Sequence, residues 1–356
     1  MSTLSIRKRV ALEIARKMRN NLKEMHPLRQ LFWECTQRCN LHCKHCGSDC
    51  KRMSEVKDMP AEDFLRVIDS ITPHVDPNVV SIVITGGEPL VREDLDEIGL
   101  ALYRRGYPWG VVSNGLYLTG KRLQRLMAAG LHSITISLDG MPEEHNWLRG
   151  HPDSYARAMD AIKMLVHEPE LAWDVVTCVN RRNYPYLEKL KSSLYNIGVR
   201  NWRLFTIFPV GRAAQHPDLQ LNDEEFKGLF EFIKRQRKEG RMHVNYCCEG
   251  FLGNYEGEVR DNFFACNAGI SVGSILADGS ISACPSIRSD FHQGNIYRDD
   301  FMDVWENRFQ TFRNREWMKT GICADCNFFR YCEGNGMHLR DEKGELLFCH
   351  YKRLHS

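Results

Sequence analysis

Residues 28–50 read LRQLFWECTQRCNLHCKHCGSDC. The first nine form a bulky, apolar run that reads as a strand. Directly after it come Cys39, Cys43 and Cys46 in a CxxxCxxC run, flanked by Cys35 and Cys50. Three thiolates within eight residues of loop can face a common centre, and a thiolate-rich set selects zinc or an iron–sulfur cluster. Structural zinc takes four closed ligands from two separated pairs, so the triplet suits a cubane with one iron left open; a zinc knuckle is the alternative. Strand alternation sets Cys35 on the face opposite Glu34, packed against helices, whereas Cys50 stays open as a further ligand.

Outward from this stretch, strand-like runs recur at 79–86, 108–115, 132–140, 172–180 and 201–209. Helical patterns lie between them, among them AEDFLRVIDSI, LDEIGLALYRRG, KRLQRLMAAG and SYARAMDAIKMLV, several with Gly just past the end. Strand–helix alternation implies a parallel α/β sheet, either open and doubly wound or an incomplete barrel. In both cases the polar motifs at the strand C-termini gather on one rim. The expected organisation is a helical extension over 1–27, the α/β domain over 28–215, a bridging helix over 216–245 with Asn222 as N-cap, and a loop-rich domain over 246–356 that holds eight cysteines and needs metal to keep its shape. The basic N-terminal helix, about 5–25, reads as a solvated packing helix or a membrane-surface or peptide-contacting element.

Composition narrows the chemistry. The chain has 356 residues, 14 Cys and 43% hydrophobic residues, enough for a full-sized core without disulfides. The first thirty residues carry no signal-peptide pattern, so a reducing cytoplasm is expected and the cysteines should be ligands, catalysts or core. No stretch approaches 18 apolar residues, and Lys+Arg 48 against Asp+Glu 46 gives a net charge of +2, so neither a membrane span nor a nucleic-acid surface is indicated.

The second strand ends in Gly86-Gly87-Glu88-Pro89. Two glycines there permit close backbone approach, and Glu88 with the glycine carbonyls can accept bonds from a ligand ammonium. Ser113-Asn114-Gly115 ends the third strand and Ser137-Leu138-Asp139-Gly140 the fourth; Ser137 and Asp139 share a face, a spacing that suits ribose hydroxyls. Each motif alone is also an ordinary turn or cap. Together, the triplet and the GGEP turn over roughly 28–215 resemble the radical SAM superfamily, whose members share a partial (β/α)6 TIM-like barrel. The resemblance implies that Cys39, Cys43 and Cys46 hold a [4Fe–4S] cluster whose open iron chelates S-adenosylmethionine, and that electron transfer yields a 5′-deoxyadenosyl radical. It further implies cofactor contacts from Gly86, Gly87, Glu88, Pro89, Ser113, Asn114, Ser137 and Asp139. Arg149 is implied to pair with the methionine carboxylate, and Pro209 and Gly211 to flank adenine.

The C-terminal cysteines follow a series: Cys266, twelve residues, Gly279, four residues, Cys284; then Cys323, Cys326, Cys332 and Cys349. This resembles the SPASM domain, which binds two auxiliary [4Fe–4S] clusters. By that resemblance Cys323, Cys326, Cys332 and Cys349 hold a complete outer cluster. The inner one takes Cys266, Cys284 and either Cys247 or Cys248, but its fourth cysteine is replaced by Gly336. The inner iron is then open, or bound by a non-cysteine group such as Glu333 or a substrate atom, unless that cluster is lost and one auxiliary cluster remains.

The function so implied is hydrogen abstraction from a peptide or protein, leading to crosslinking, epimerisation or oxidation, with electrons from a flavodoxin- or ferredoxin-type reductant. Cys178, on a polar strand face with Asp174 and Asn180, is a candidate hydrogen-atom donor, with a packed core thiol as the alternative. The competing functions are a radical SAM enzyme acting on a small metabolite, and a non-enzymatic electron-transfer or zinc protein.

Overall fold

Leu31 and Trp33, alternate residues of the first strand, are fully buried, and Trp33 stacks on Phe64 with ring centroids 4.2 Å apart. Each such side chain removed from water contributes about 1.5–3 kcal/mol, so the pattern of period two fixes which face of the strand meets the helices. The computed structural model describes residues 4–247, 249–341 and 343–355. Its strands are β1 Gln30–Glu34, β2 Ser81–Thr85, β3 Trp109–Ser113, β4 Leu131–Ser137, β5 Ala172–Val179, β6 Asn201–Thr206, β7 His243–Tyr246, β8 Val272–Ile275, β9 Ser280–Ser282 and β10 Gly294–Asn295. They form one sheet in the order β10-β9-β8-β1-β2-β3-β4-β5-β6-β7.

All neighbours from β1 to β7 are parallel, as the strand–helix alternation requires. Up to β7 the helices are α1 Ile6–Met25, α2 Ala61–Ile71, α3 Leu95–Arg104, α4 Gly120–Ala128, α5 Pro142–Arg149, α6 Ser154–Leu165, α7 Leu187–Asn196 and α8 Asp223–Glu239, and four short ones follow after β10 among the described residues. The α/β expectation holds, and the sheet runs further than six strands. The stretch read as a bridging helix contains α8, with Asn222 and Glu225 in a capping box, and ends in β7, which adds to β6. At the other edge β8 pairs in parallel with β1, and its hairpin with β9 carries the sheet into the cysteine-rich region.

Ile82, Ile84, Val111, Ile134, Ile136 and Val175 join Leu31 and Trp33 in one buried cluster. The alternate strand positions are polar: Thr135 donates to Asp174 at 2.7 Å, and Arg203 pairs with Asp174. The apolar face is therefore the core, and the polar face and the C-terminal strand ends are left for chemistry. Among the described residues no helix is long and apolar enough to cross a membrane.

Candidate active site

The CxxxCxxC loop leaves β1 and is clamped on three sides by backbone contact. Gly87 N–H donates to Thr36 at 2.8 Å and Glu88 N–H to Arg38 at 2.9 Å. A Cβ on Gly87 would lie 2.2 Å from the Arg38 carbonyl oxygen, so only glycine lets the turn after β2 approach this closely. From the end of α5, Leu148 accepts from Lys44 N–H at 2.8 Å. From the exit of β6, Arg212 N–H donates to Cys46, and a Cβ on Gly211 would meet the Gly47 carbonyl at 2.4 Å. The Arg212 guanidinium completes the clamp, donating to the carbonyls of Cys43 and Cys50 and to Asp49, each at 2.8 Å.

Cys39, Cys43, Cys46 and Cys50 pack together with Leu41 and Leu116. Burial pushes the Cys39 thiol up to about 12 and raises Cys43 as well. Cys46 moves the other way, to about 5, because the Cys50 thiol donates to it, assisted by the N–H groups of Cys50 and Ser48 and the charge of Arg212. Three thiols drawn together, with N–H groups aimed at two of them and a guanidinium 3.8 Å from the sulfur of the third, form a donor set that fits an anionic, thiolate-ligated metal cluster. Cys50, left open in the sequence, stands beside this set as a partner of Cys46. Cys35 is fully buried in the main core on the helix side.

Glu88 is 1% exposed and its carboxylate accepts from Ser113 Oγ at 2.8 Å, Asn114 N–H at 2.7 Å and Leu90 N–H at 3.1 Å. It thus stitches the end of β2 to the end of β3, and Ser113 and Pro89 share that structural work. Asn114 reaches on to Asn40 in the cysteine loop at 2.8 Å. Ser137 stands at the end of β4, and no described group bonds its hydroxyl.

Asp139 is 1% exposed and sits under the loop. Arg149 places Nε and Nη2 on its Oδ2 at 2.6 Å, and Cys178 N–H donates to Oδ1 at 2.8 Å. Burial alone would raise this carboxyl; the charge of Arg149, with the bond from Cys178 N–H, turns the shift downward. Arg149 therefore links Asp139 to Cys43, and the same linkage raises its own pKa. The Cys178 thiol is 1% exposed among Leu148, Ile207, Ala213 and Leu219, and burial keeps it protonated.

The second cysteine set lies in the region after β8. Cys323, Cys326, Cys332 and Cys349 line one cavity of about 550 Å³, walled by Phe251, Phe328 and Tyr351. Arg340 Nη2 is 3.6 Å from the Cys323 sulfur. Four thiols gathered in one cavity with aromatic walls fit a second cluster. Glu333, offered by the sequence as a ligand, is taken: both its oxygens lie 2.7 Å from Lys23 of α1.

The thiol of Cys266 accepts from the N–H groups of Met337 and Ala268 and stands near Arg315; burial would raise it, and these groups together bring it below its ordinary value. Cys284 follows β9, and it and Cys266 each pack against the main core. Cys247 follows β7 and borders a cavity of about 880 Å³ that α1 covers and into which Arg203 and Asn245 also face. Cys248 lies outside the described residues.

Sequence reasoning missed Arg212, His45, His145 and Asn183. His145 accepts from Asp139 N–H at 2.9 Å and Asn183 donates to the carbonyls of Asp139 and Cys178 at 2.7 and 2.9 Å. Only Arg212 carried a signal: a cation directly after Gly211, in the loop that follows β6.

The profile of the Radical SAM superfamily matches residues 33–190, and that of an iron–sulfur cluster-binding domain, SPASM, matches residues 266–327. An AdoMet-dependent heme synthase of Oleidesulfovibrio alaskensis is 28% identical over 92% of this chain and 90% of its own. The mycofactocin maturase MftC of Mycolicibacterium smegmatis is 29% identical over 86% of this chain and 77% of its own. Among solved structures, Streptococcus suis SuiB bound to S-adenosylmethionine superposes with a TM-score of 0.69 at 18% identity, covering 94% of this chain and 79% of that one. The cofactors of these two domains, [4Fe–4S] clusters and S-adenosylmethionine, agree with the thiol sets described above. The chain is an enzyme of the radical SAM superfamily with a C-terminal SPASM domain.

Proposed function

We propose that this enzyme abstracts a hydrogen atom from a carbon of a peptide or protein substrate, which then crosslinks, epimerises or is oxidised. The observation that carries the reading is the pairing of two separate thiol sets, one clamped at the barrel rim and one in an aromatic shell of the C-terminal domain. When bound, the rim cluster and S-adenosylmethionine supply a 5′-deoxyadenosyl radical, with the electron drawn from a flavodoxin- or ferredoxin-type donor.

The chain's own residues do the positioning. Cys39, Cys43 and Cys46 are the rim ligands, and Arg212, Gly87 and Gly211 hold their loop in one geometry, so that little reorganises during the reaction. Arg149 offsets negative charge at Cys43 while Asp139 fixes its direction. Ser137 offers an unbonded hydroxyl at the end of β4, and the carbonyls of Gly86 and Gly87 accept from no described group, so these three are the contacts assigned to S-adenosylmethionine; Glu88, Pro89, Ser113 and Asn114 shape the turn that presents them. The similarity to the mycofactocin maturases supports a peptide substrate.

A second reading, a small-molecule substrate, is favoured by the full-length match to the heme synthases and by the 880 Å³ cavity with Arg203 and Arg260 in its wall. One experiment separates them. The reconstituted enzyme with dithionite should release 5′-deoxyadenosine, and mass spectrometry should find a changed mass in a co-expressed candidate peptide. Turnover of a porphyrin with every candidate peptide unchanged would establish the second reading, and absence of 5′-deoxyadenosine release would overturn both.

A further inference from the structure

Position 336 has no side chain, and the structure shows what stands there instead. A Cβ on Gly336 would lie 2.7 Å from Cε1 and 2.9 Å from Nδ1 of His338, and 2.8 Å from the Glu249 carbonyl oxygen. Non-bonded carbon atoms do not approach so closely, so the imidazole edge of His338 fills the space into which a side chain at 336 would project. That space abuts Glu249, which directly follows the vicinal Cys247-Cys248. Between Gly336 and His338, the Met337 N–H donates to the sulfur of Cys266. The tripeptide 336–338 therefore sits between two segments that bring inner thiols. The ring of His338 packs edge-on against Phe208, with centroids 5.1 Å apart and planes at 63°, and its nitrogens bond no described group. Phe208 in turn lies 3.0 Å from a Cβ placed on Gly47, next to Cys46, so His338 faces the rim.

We propose that His338 supplies, through its imidazole, the fourth ligand of the inner auxiliary cluster, replacing the cysteine side chain that position 336 lacks. The proposal rests on the reading that Cys266, Cys284 and Cys247 or Cys248 hold such a cluster. Imidazole is an accepted iron ligand in iron–sulfur centres, and exchanging a thiolate for a neutral ring removes one negative charge from the cluster and raises its potential.

The test uses the full chain carrying Cys39→Ala, Cys43→Ala and Cys46→Ala, reconstituted anaerobically, so that only the auxiliary clusters contribute. Roughly eight irons per chain are expected for two cubanes. Pulsed electron paramagnetic resonance of the dithionite-reduced protein should show a strongly coupled nitrogen that changes on ¹⁵N-histidine labelling, a readout that needs no further variant. The coupling should vanish in His338→Cys, with the potential of that cluster lowered. Roughly eight irons with no histidine coupling, or a coupling that survives His338→Cys, overturns the assignment of His338 alone. Only four irons would overturn the inner cluster itself, and this assignment with it.

Discussion

Arg149 sets both Nε and Nη2 on one oxygen of Asp139, each at 2.6 Å, and turns Nη1 toward the Cys43 sulfur at 3.8 Å. A cation between a buried carboxylate and a thiol of the rim set is a structural and an electrostatic element at once. Arg149→Met leaves Asp139 buried without its counter-charge, a loss of about 3–5 kcal/mol. The unfolding midpoint in urea should fall accordingly, and 5′-deoxyadenosine release should drop at least tenfold. Arg149→Lys keeps the charge without the planar fork and should lie between the two. Unchanged release in Arg149→Met would remove Arg149 from the site.

Close backbone approach at Gly87 predicts a sharp contrast between two glycines. Gly87→Ala places a Cβ 2.2 Å from the Arg38 oxygen, whereas a Cβ on Gly240, at the end of α8, meets nothing within 4 Å. Gly240→Ala should cost about 1 kcal/mol for its left-handed φ of 67° and leave iron uptake intact. Gly87→Ala should cost about 1–3 kcal/mol or more and, by displacing the cysteine loop, lower iron bound at the rim site. Equal iron content in both variants would contradict the clamp.

Acid should destabilise the metal-free fold through His145. Burial lowers its pKa to about 3, with the Arg149 charge acting in the same direction and Asp139 opposing. Unfolded, the ring titrates near its ordinary value of about 6.5. Between these values the unfolded chain holds the extra proton, so stability is full above about 6.5 and declines as pH falls toward 3, by up to about 1.4 kcal/mol per pH unit. Denaturation midpoints of His145→Gln against the parent should converge as pH drops from 7 to 4. Parallel curves would rule the effect out.

α1 reaches the outer thiol set through Arg19, which donates to the carbonyls of Tyr331 and Arg330 at 2.6 and 2.9 Å. These two carbonyls immediately precede Cys332, and Arg19 also pairs with Glu333 beyond it, the residue that Lys23 holds as well. Arg19→Ala removes two charge-assisted bonds, about 1.5–3 kcal/mol each. If the set of Cys323, Cys326, Cys332 and Cys349 holds the outer cluster, its iron should then be lost faster to a chelator. Lys17→Ala, on the exposed side of α1, should leave that rate unchanged.

The fold was legible because its signals are local. The triplet, the GGEP turn and the Asn222 cap each need only neighbouring residues to be read, and strand alternation needs only a period. Glu88 was read as a ligand acceptor because nothing near it in the chain says that Ser113 and Asn114 will come to it from β3. Arg212 showed only as a cation in the right place, and its role was hidden for the same reason: its partners Cys43, Asp49 and Cys50 lie more than 160 positions earlier. His338 shows the limit most plainly. The missing cysteine at 336 was readable, and the ring that takes up its space was not, since two residues' separation does not say which way a loop turns.

Strand β1 has two parallel neighbours, β2 and β8. The strand that launches the cysteine loop is thus the seam between two regions that sequence profiles treat as separate modules. Melting one side exposes a hydrogen-bonding edge on the other, so the pair should unfold as one cooperative unit. The loop of Cys39, Cys43 and Cys46 after β1 and Cys284 after β9 thus hang from one sheet, so their separation is set by the folding of the chain rather than by a hinge.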